Sequence, residues 1–233
     1  MNQSKVRHLF IITYPRTGST TLLRVVNTAS DHTIRGESIG IINNFYRIFR
    51  DISNLISEVP KLMPEVPVGS DLSPIQGIDL VNLPNMEDSI VNFFHDIILQ
   101  PGEGTIVSGW KETMINPARD GAEFSTEVLL FMARIFPDSK FIFNVRNPLD
   151  VSRSSFWKYS DDSINEIAQC RDWLLDVAES ELLGPNKVLV VDHDIWSGNP
   201  KYLIDSLHGF GVKVNEEQTK LILSERLTHL SYI

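Results

Sequence analysis

An arginine, a glycine and four serine or threonine residues stand close together in YPRTGSTT, residues 14–21. The segment follows an apolar, β-branched run and precedes a helical pattern, so the positive end of a helix and free backbone N–H groups would face one point. The arginine supplies a planar cation, the glycine allows close backbone approach, and the hydroxyls donate hydrogen bonds. This chemistry is typical of a phosphate-binding loop, with candidate contacts at Arg16, Thr17, Gly18, Ser19, Thr20 and Thr21.

The same loop lacks the Walker pattern, GxxxxGK followed by Ser or Thr. The cation of this loop is Arg16, two residues before Gly18, and the lysine that contacts the β- and γ-phosphates in that pattern is absent. The usual kind of ATP or GTP site is therefore disfavoured. A purely structural alternative stays open, in which Gly18 makes a turn and Ser19 caps the helix.

A second arginine follows a second apolar segment. Phe141–Val145 is predicted to be a buried strand, Arg146 stands at its carboxyl end, and Ser154 follows eight residues later. Open α/β sheets bind ligands at that edge of the sheet. Because two anion-binding motifs that serve one ligand must be close, we predict that the strands at 8–13 and 141–145 end side by side. The structural alternative is an i, i+4 surface pair between Arg146 and Asp150.

Together, PRTGST at 15–20 and the segment 146–154 resemble the signature of the sulfotransferases that use 3′-phosphoadenosine 5′-phosphosulfate (PAPS). The layout is most similar to the tyrosylprotein and carbohydrate sulfotransferases, with further similarity in residues 134–141 and a weaker one in residues 187–194. In that superfamily the first motif holds the 5′-phosphosulfate, and an Arg followed by a Ser holds the 3′-phosphate. The resemblance implies that Arg146 and Ser154 bind the 3′-phosphate.

The resemblance also implies an activity, a cytoplasmic transferase that moves the sulfonate group of PAPS to an acceptor hydroxyl by in-line displacement. The product would be adenosine 3′,5′-bisphosphate, the acceptor a carbohydrate, small molecule or peptide, and no metal is expected. Two alternatives stay open. One is a P-loop-type nucleotide or small-molecule kinase, and the other is a non-catalytic nucleotide-binding homologue, since fold does not fix function.

Sulfonate transfer needs a base for the acceptor proton and cations for the developing negative charge. Arg16 is one candidate cation, and Lys111 is another by resemblance to the family's lysine after a strand. Glu37 resembles the base in the Gly-Glu segment of tyrosylprotein sulfotransferases, Glu112 is its competitor, and His32 is a third choice. The structural alternatives are an exposed Lys–Glu pair for Lys111 and a helix N-terminal charge for Glu37.

The sequence departs from the small-molecule sulfotransferases in three places. They usually carry Lys where Arg16 stands, and a catalytic His follows their lysine that matches Lys111. They also have a basic Arg-Lys-Gly loop, which is not found here. The sequence therefore does not identify the residue that closes the 3′-phosphate site on its C-terminal side.

The elements that position these residues alternate between strands and helices, which predicts parallel βαβ units. We expect a three-layer, P-loop-like α/β fold with a central parallel sheet flanked by helices, as one domain over residues 1–233. A Pro-rich loop at 60–84 is a possible acceptor lid. The predicted strands are 8–14, 105–110, 140–145 and 187–191, and the predicted helices are 19–29, 37–59, 86–100, 122–136, 148–159, 165–182 and two near the end.

Composition indicates which cellular compartment and which classes of binding partner to expect. The net charge of −9 disfavours a nucleic-acid or anionic-membrane surface. The lone cysteine, Cys170, fits a reducing compartment and is interpreted as structural. Because there is no apolar leader or long apolar run, no secretion signal or membrane span is expected. The six histidines show no metal-ligand spacing. Oligomeric state is not predicted.

Overall fold

A parallel β-sheet forms the centre of the computed structural model, which describes residues 7–66, 69–71, 73 and 75–225. Within these residues, five parallel strands lie in the order β2-β3-β1-β4-β5. The strands are β1 (Arg7–Thr13), β2 (His32–Glu37), β3 (Val107–Glu112), β4 (Lys140–Val145) and β5 (Val188–Asp192). The predicted α/β class with a central parallel sheet is confirmed.

Helices connect the strands and cover both faces of the sheet. In the described part of the chain they are α1 (Ser19–Val26), α2 (Ile41–Leu62), α3 (Leu83–Phe93), α4 (Pro117–Asp120), α5 (Ala122–Ile135), α6 (Pro148–Ser152), α7 (Ser163–Glu179), α8 (His193–Trp196), α9 (Pro200–Phe210) and α10 (Glu216–Ser224). Shorter turns of 3₁₀-helix lie at Ile78–Leu80 and Ser155–Tyr159, and a π-helix lies at Phe94–Leu99.

Alternate residues of the central strands pack on opposite faces, which gives the fold its three layers. Phe10 and Ile12 of β1 join the larger apolar cluster, to which α2, α5 and α7 contribute. Leu9 and Ile11 join a second cluster, to which α1 and α9 contribute. Because both faces are covered, β1 reads in the sequence as a continuous apolar run rather than an alternating one.

The edge strand β2 was missed in the sequence. Its residues HTIRGE include one buried side chain, at Ile34, so the apolar pattern that reveals a buried strand is absent. A register shift at Gly36 follows the pairing of Arg35 with Trp110 and brings Glu37 opposite Lys111. The predicted helix at 37–59 therefore starts later, at Ile41, and Glu37 ends a strand instead of beginning a helix.

Other strands and helices begin or end at residues that differ from the predicted ones, for local reasons. β3 extends through Lys111 and Glu112, whose charges suggested a strand end but whose side chains are buried. The predicted helix at 148–159 is α6 followed by a 3₁₀ turn, and α3 ends in the π-helix. No helix among the described residues has both the length and the apolarity to span a membrane.

Candidate functional site

The predicted site residues lie along the carboxyl edge of the sheet. Glu37 ends β2, Lys111 and Glu112 end β3, the loop 14–18 follows β1, and Arg146 follows β4. In the sheet order, the edge therefore presents Glu37, then the β3 pair, then the loop, then Arg146. Ligands bind at this edge in open parallel sheets, since the strand ends and the helix N-termini converge there.

The loop between β1 and α1 is tightly curled. Arg16 and Gly18 have left-handed backbone conformations, with φ of 73° and 75°. Glycine adopts this conformation freely, whereas at Arg16 it costs about 1–2 kcal/mol. Gly18 is the N-cap of α1 and no side chain caps that helix, so the structural alternative in which Ser19 is the cap is wrong. The first N–H groups of α1 have no intrahelical acceptors and suit an anion.

Buried polar contacts hold this loop against β4. The Thr17 side chain is fully buried, with its Oγ1 2.7 Å from Thr13 Oγ1 and donating to the Tyr14 carbonyl at 3.1 Å. Asn144 Nδ2 donates to the Thr17 carbonyl at 2.9 Å, and Trp196 Nε1 donates to Asn144 Oδ1 at 3.1 Å. Because its hydroxyl is committed inside, Thr17 can offer a ligand its backbone N–H.

Asn144 and Tyr14 help to hold the two arginine motifs in place, and sequence reasoning missed both residues. A fully buried amide in the middle of the apolar strand β4 was the available signal for Asn144. The Tyr14 hydroxyl donates to the Arg146 carbonyl at 2.6 Å and accepts from the Arg146 N–H at 2.8 Å. Burial raises the pKa of Tyr14 far above its ordinary value, so the hydroxyl stays neutral and can make both bonds.

The two arginine motifs meet. Arg16 Nε donates to Ser154 Oγ at 3.0 Å, and Arg146 Nη1 donates to the Arg16 carbonyl at 3.1 Å. β1 and β4 are neighbours, so the predicted proximity of their ends is confirmed. The carboxylate paired with Arg146 belongs to Asp194, with Nε and Oδ1 3.6 Å apart, and the predicted alternative pair with Asp150 does not form.

Lys111 and Glu37 form an ion pair between neighbouring strands. Lys111 Nζ donates to Glu37 Oε1 at 2.6 Å. The Lys111 side chain is 7% exposed, whereas that of Glu37 is 41% exposed. The exposed Lys–Glu pair considered as a structural alternative is therefore wrong, since the lysine is buried. The pair combines a largely desolvated ammonium with a carboxylate that is open to solvent.

Glu112 has a different environment. Its carboxylate is fully buried and accepts hydrogen bonds from the Thr113 and Met114 N–H groups, each at 2.9 Å, and from Ser38 Oγ. These bonds tie the turn after β3 to the segment before α2. At this edge Glu37, and not Glu112, presents a carboxylate to solvent.

His193 lies against the loop between β1 and α1. A Cβ added at Gly18 would lie 2.3 Å from His193 Cδ2 and 2.8 Å from Nε2, so the ring packs directly on the glycine. Burial and the neighbouring charge of Arg146 lower the pKa of His193, which favours the neutral ring at neutral pH. The glycine is therefore required for close packing as well as for its backbone conformation.

The other titratable candidates lie elsewhere. His32 begins β2, so it stands at the amino end of that strand, where its Nδ1 is 2.7 Å from Asp31 Oδ1. Burial raises the pKa of Cys170 to about 11, which keeps the thiol protonated. His229 lies outside the described residues. Within those residues, no group of three or more His, Cys, Asp and Glu side chains could hold a metal ion.

Three solved sulfotransferases or sulfotransferase domains are similar to this chain. The sulfotransferase domain of the Synechococcus PCC 7002 olefin synthase is 14% identical, with a TM-score of 0.53 over 100% of this chain and 82% of that one. A sulfotransferase from Alicyclobacillus acidocaldarius is 17% identical, with a TM-score of 0.48 over 96% of this chain and 87% of its own. A sulfotransferase domain from the curacin biosynthetic pathway is 14% identical, with a TM-score of 0.48 over 95% and 79%.

At 14% identity, the similarity to the olefin synthase domain shows the fold alone. Curated protein sequences give no match. A model of the sulfotransferase family matches residues 8–201, a span that contains both arginine motifs and the Lys111–Glu37 pair. The chain therefore belongs to the sulfotransferase family.

Proposed function

We propose that residues 1–233 act as one PAPS-dependent sulfotransferase domain that transfers the sulfonate group to an acceptor hydroxyl. One observation carries the proposal. Arg16 and Arg146, from two separate motifs, are held together at the ends of β1 and β4 by the bonds from Arg16 Nε to Ser154 and from Arg146 Nη1 to the Arg16 carbonyl. A donor with anionic groups at its 5′ and 3′ positions needs two such neighbouring cations.

The loop after β1 and the motif after β4 bind different parts of the donor. The curled backbone of residues 16–20, the N-terminus of α1 and Arg16 bind the 5′-phosphosulfate, with hydroxyls from Ser19, Thr20 and Thr21 in reach of the same end of the helix. Arg146 and Ser154 bind the 3′-phosphate. Neither role needs a metal, because the arginines supply the positive charge.

Glu37 takes the acceptor proton. As the acceptor oxygen bonds to sulfur, the bond from sulfur to the bridging phosphate oxygen breaks, and adenosine 3′,5′-bisphosphate leaves. Lys111 and Arg16 stabilise the negative charge that develops on the sulfonate and on the departing phosphate. Glu37 is the better base candidate than Glu112 because its carboxylate is open to solvent, whereas that of Glu112 is enclosed by three donors.

The sheet order supports separate places for the donor and the acceptor. The donor motifs follow β1 and β4, and Glu37 ends the edge strand β2, so the acceptor approaches over β2 and β3. α2 begins at Ile41, beside Glu37, and its 22 residues carry the chain about 33 Å away. A lid formed by the loop at 60–84 would have to fold back over that distance to cover the acceptor.

Binding and turnover test the proposal in sequence. Adenosine 3′,5′-bisphosphate should bind in calorimetry without magnesium, and ATP with magnesium should bind far more weakly. A kinase would show the reverse preference. Labelled PAPS with a panel of carbohydrate, phenolic and peptide hydroxyls should then give labelled product. A homologue that binds the bisphosphate but turns over no acceptor would be non-catalytic, and the activity part of the proposal would be abandoned.

Gly18→Ala is expected to weaken binding of adenosine 3′,5′-bisphosphate by tenfold or more. The left-handed conformation costs alanine about 1–2 kcal/mol, whereas glycine adopts it freely, and the new Cβ would overlap the His193 ring. Gly209→Ala is the matched control, since its added Cβ meets nothing within 4 Å. Calorimetry and thermal unfolding of both variants make the comparison, and unchanged binding in Gly18→Ala would contradict the assigned loop.

A further inference from the structure

An acidic residue from the segment after β5 stands behind Arg146. Asp194 Oδ2 accepts a hydrogen bond from the Asn147 N–H at 2.7 Å, and its Oδ1 lies 3.6 Å from Arg146 Nε. The carboxylate is itself fixed, because the Asp194 N–H donates to Asp192 Oδ1 at 2.9 Å. Asp194 therefore joins the start of α8 to the turn that carries Arg146.

The Arg146 guanidinium is held at two of its three nitrogens. Its Nε is buried without a hydrogen-bond partner in the described residues, and 3.6 Å is too long for such a bond, so Asp194 acts on it through charge. Nη1 donates to the Arg16 carbonyl. A guanidinium has five N–H donors in a fixed fork. With these two contacts in place, the remaining Nη donors are available for an anion.

From this arrangement we infer that Asp194 is a positioning residue, which orients Arg146 for the 3′-phosphate of the donor; the inference rests on the proposed function. The carboxylate and the Arg16 carbonyl together fix the plane of the guanidinium. A planar, fixed fork can donate two parallel bonds to a phosphate, whereas a rotating one cannot hold that geometry.

The negative charge of Asp194 allows a test, because two possible roles of this carboxylate predict opposite changes in the affinity for the bisphosphate. A carboxylate that merely lay near the phosphate would repel it, so removing its charge should tighten binding of the bisphosphate. A carboxylate that positions Arg146 should have the opposite effect. His193, whose Nδ1 is 3.5 Å from Asp194 Oδ1, is the other titratable side chain at this carboxylate, and its neutral ring adds no opposing charge.

Asp194→Asn is the sharpest variant. Its side-chain oxygen can still accept from the Asn147 N–H, while an amide donor replaces the carboxylate oxygen that faces Arg146. We expect the Kd for adenosine 3′,5′-bisphosphate to rise about tenfold, as for a lost contact to a charged group. With PAPS saturating, kcat and the KM for the acceptor should stay close to wild type. Asp194→Glu should recover part of the loss.

Two controls separate positioning from general damage. Asp150→Asn changes an exposed carboxylate of α6 and should leave the Kd unchanged. In an Arg146→Ala background, Asp194→Asn should have little further effect, because the group that it orients is gone. Thermal unfolding checks that each variant is folded.

The outcomes are distinguishable. Unchanged or tighter binding in Asp194→Asn would overturn the inference, and so would an equal loss in the Arg146→Ala background. Either result would leave the proposed function intact as long as the wild type binds the bisphosphate. A wild-type protein that fails to bind it would remove the proposed function, and this inference with it.

Discussion

Glu37→Gln should lower kcat by about 10²–10⁴-fold, the usual loss when a positioned general base is removed. Glutamine keeps the shape of the side chain, and its oxygen can still accept the bond from Lys111 Nζ that Glu37 Oε1 now accepts at 2.6 Å. It cannot take a proton from the acceptor. Binding of adenosine 3′,5′-bisphosphate should therefore stay near wild type while turnover at saturating PAPS collapses.

Two comparisons make the Glu37 experiment specific. Glu103→Gln alters an exposed glutamate in the turn that precedes β3, at the opposite edge of the sheet from the site, and should leave kcat unchanged. Glu112→Gln replaces an acceptor of three hydrogen bonds and should mainly lower the melting temperature. If Glu112 were the base, its variant would show the larger loss per folded molecule. Near-normal turnover in Glu37→Gln would reject the assignment.

Arg146→Ala should raise the KM for PAPS and the Kd for adenosine 3′,5′-bisphosphate by about 10²-fold. The change removes a charge-assisted contact to phosphate, which contributes about 1.5–3 kcal/mol. The KM for the acceptor should change little, since we propose that the acceptor binds over β2 and β3, whereas Arg146 follows β4. Initial rates with each substrate varied in turn separate the two constants.

Substitutions at two neighbouring residues provide comparisons for the loss of donor affinity in Arg146→Ala. Arg153→Ala removes an exposed arginine from the same segment and should have almost no effect on either constant. Ser154→Ala should act in the same direction as Arg146→Ala but more weakly, because it removes a neutral hydroxyl and not a charged group. Part of its effect should come from the loop, since Ser154 accepts from Arg16 Nε at 3.0 Å. Equal effects of Arg146→Ala on donor and acceptor constants would refute the 3′-phosphate role.

The central strands and the two anion motifs were predictable because their signals are local. The apolar runs at Leu9–Ile12 and Phe141–Phe143 face covered surfaces on both sides, and strands of that kind reveal themselves without knowledge of their neighbours. Arg16, Gly18 and Arg146 follow those strands directly, so a correct strand places them at the ligand-binding edge.

The edge strand β2 could not be found in this way. One of its two faces is largely exposed, and its pairing with β3 depends on backbone bonds that leave no trace in the residue pattern. The same limit applies to buried polar residues. The sequence shows that Asn144 is polar, but its bonds to Thr17 and Trp196 join residues more than fifty positions away.

The sequence by itself determined the α/β class, the family, and which strand ends carry cations, since each depends on residues that are neighbours in the chain. Tertiary structure decided the partners of those groups. It paired Lys111 with Glu37, brought Ser38 to the carboxylate of Glu112, and set Asp194 behind Arg146. These contacts follow from strand order and from the register at Gly36, which arise when distant segments pack and not from any local preference.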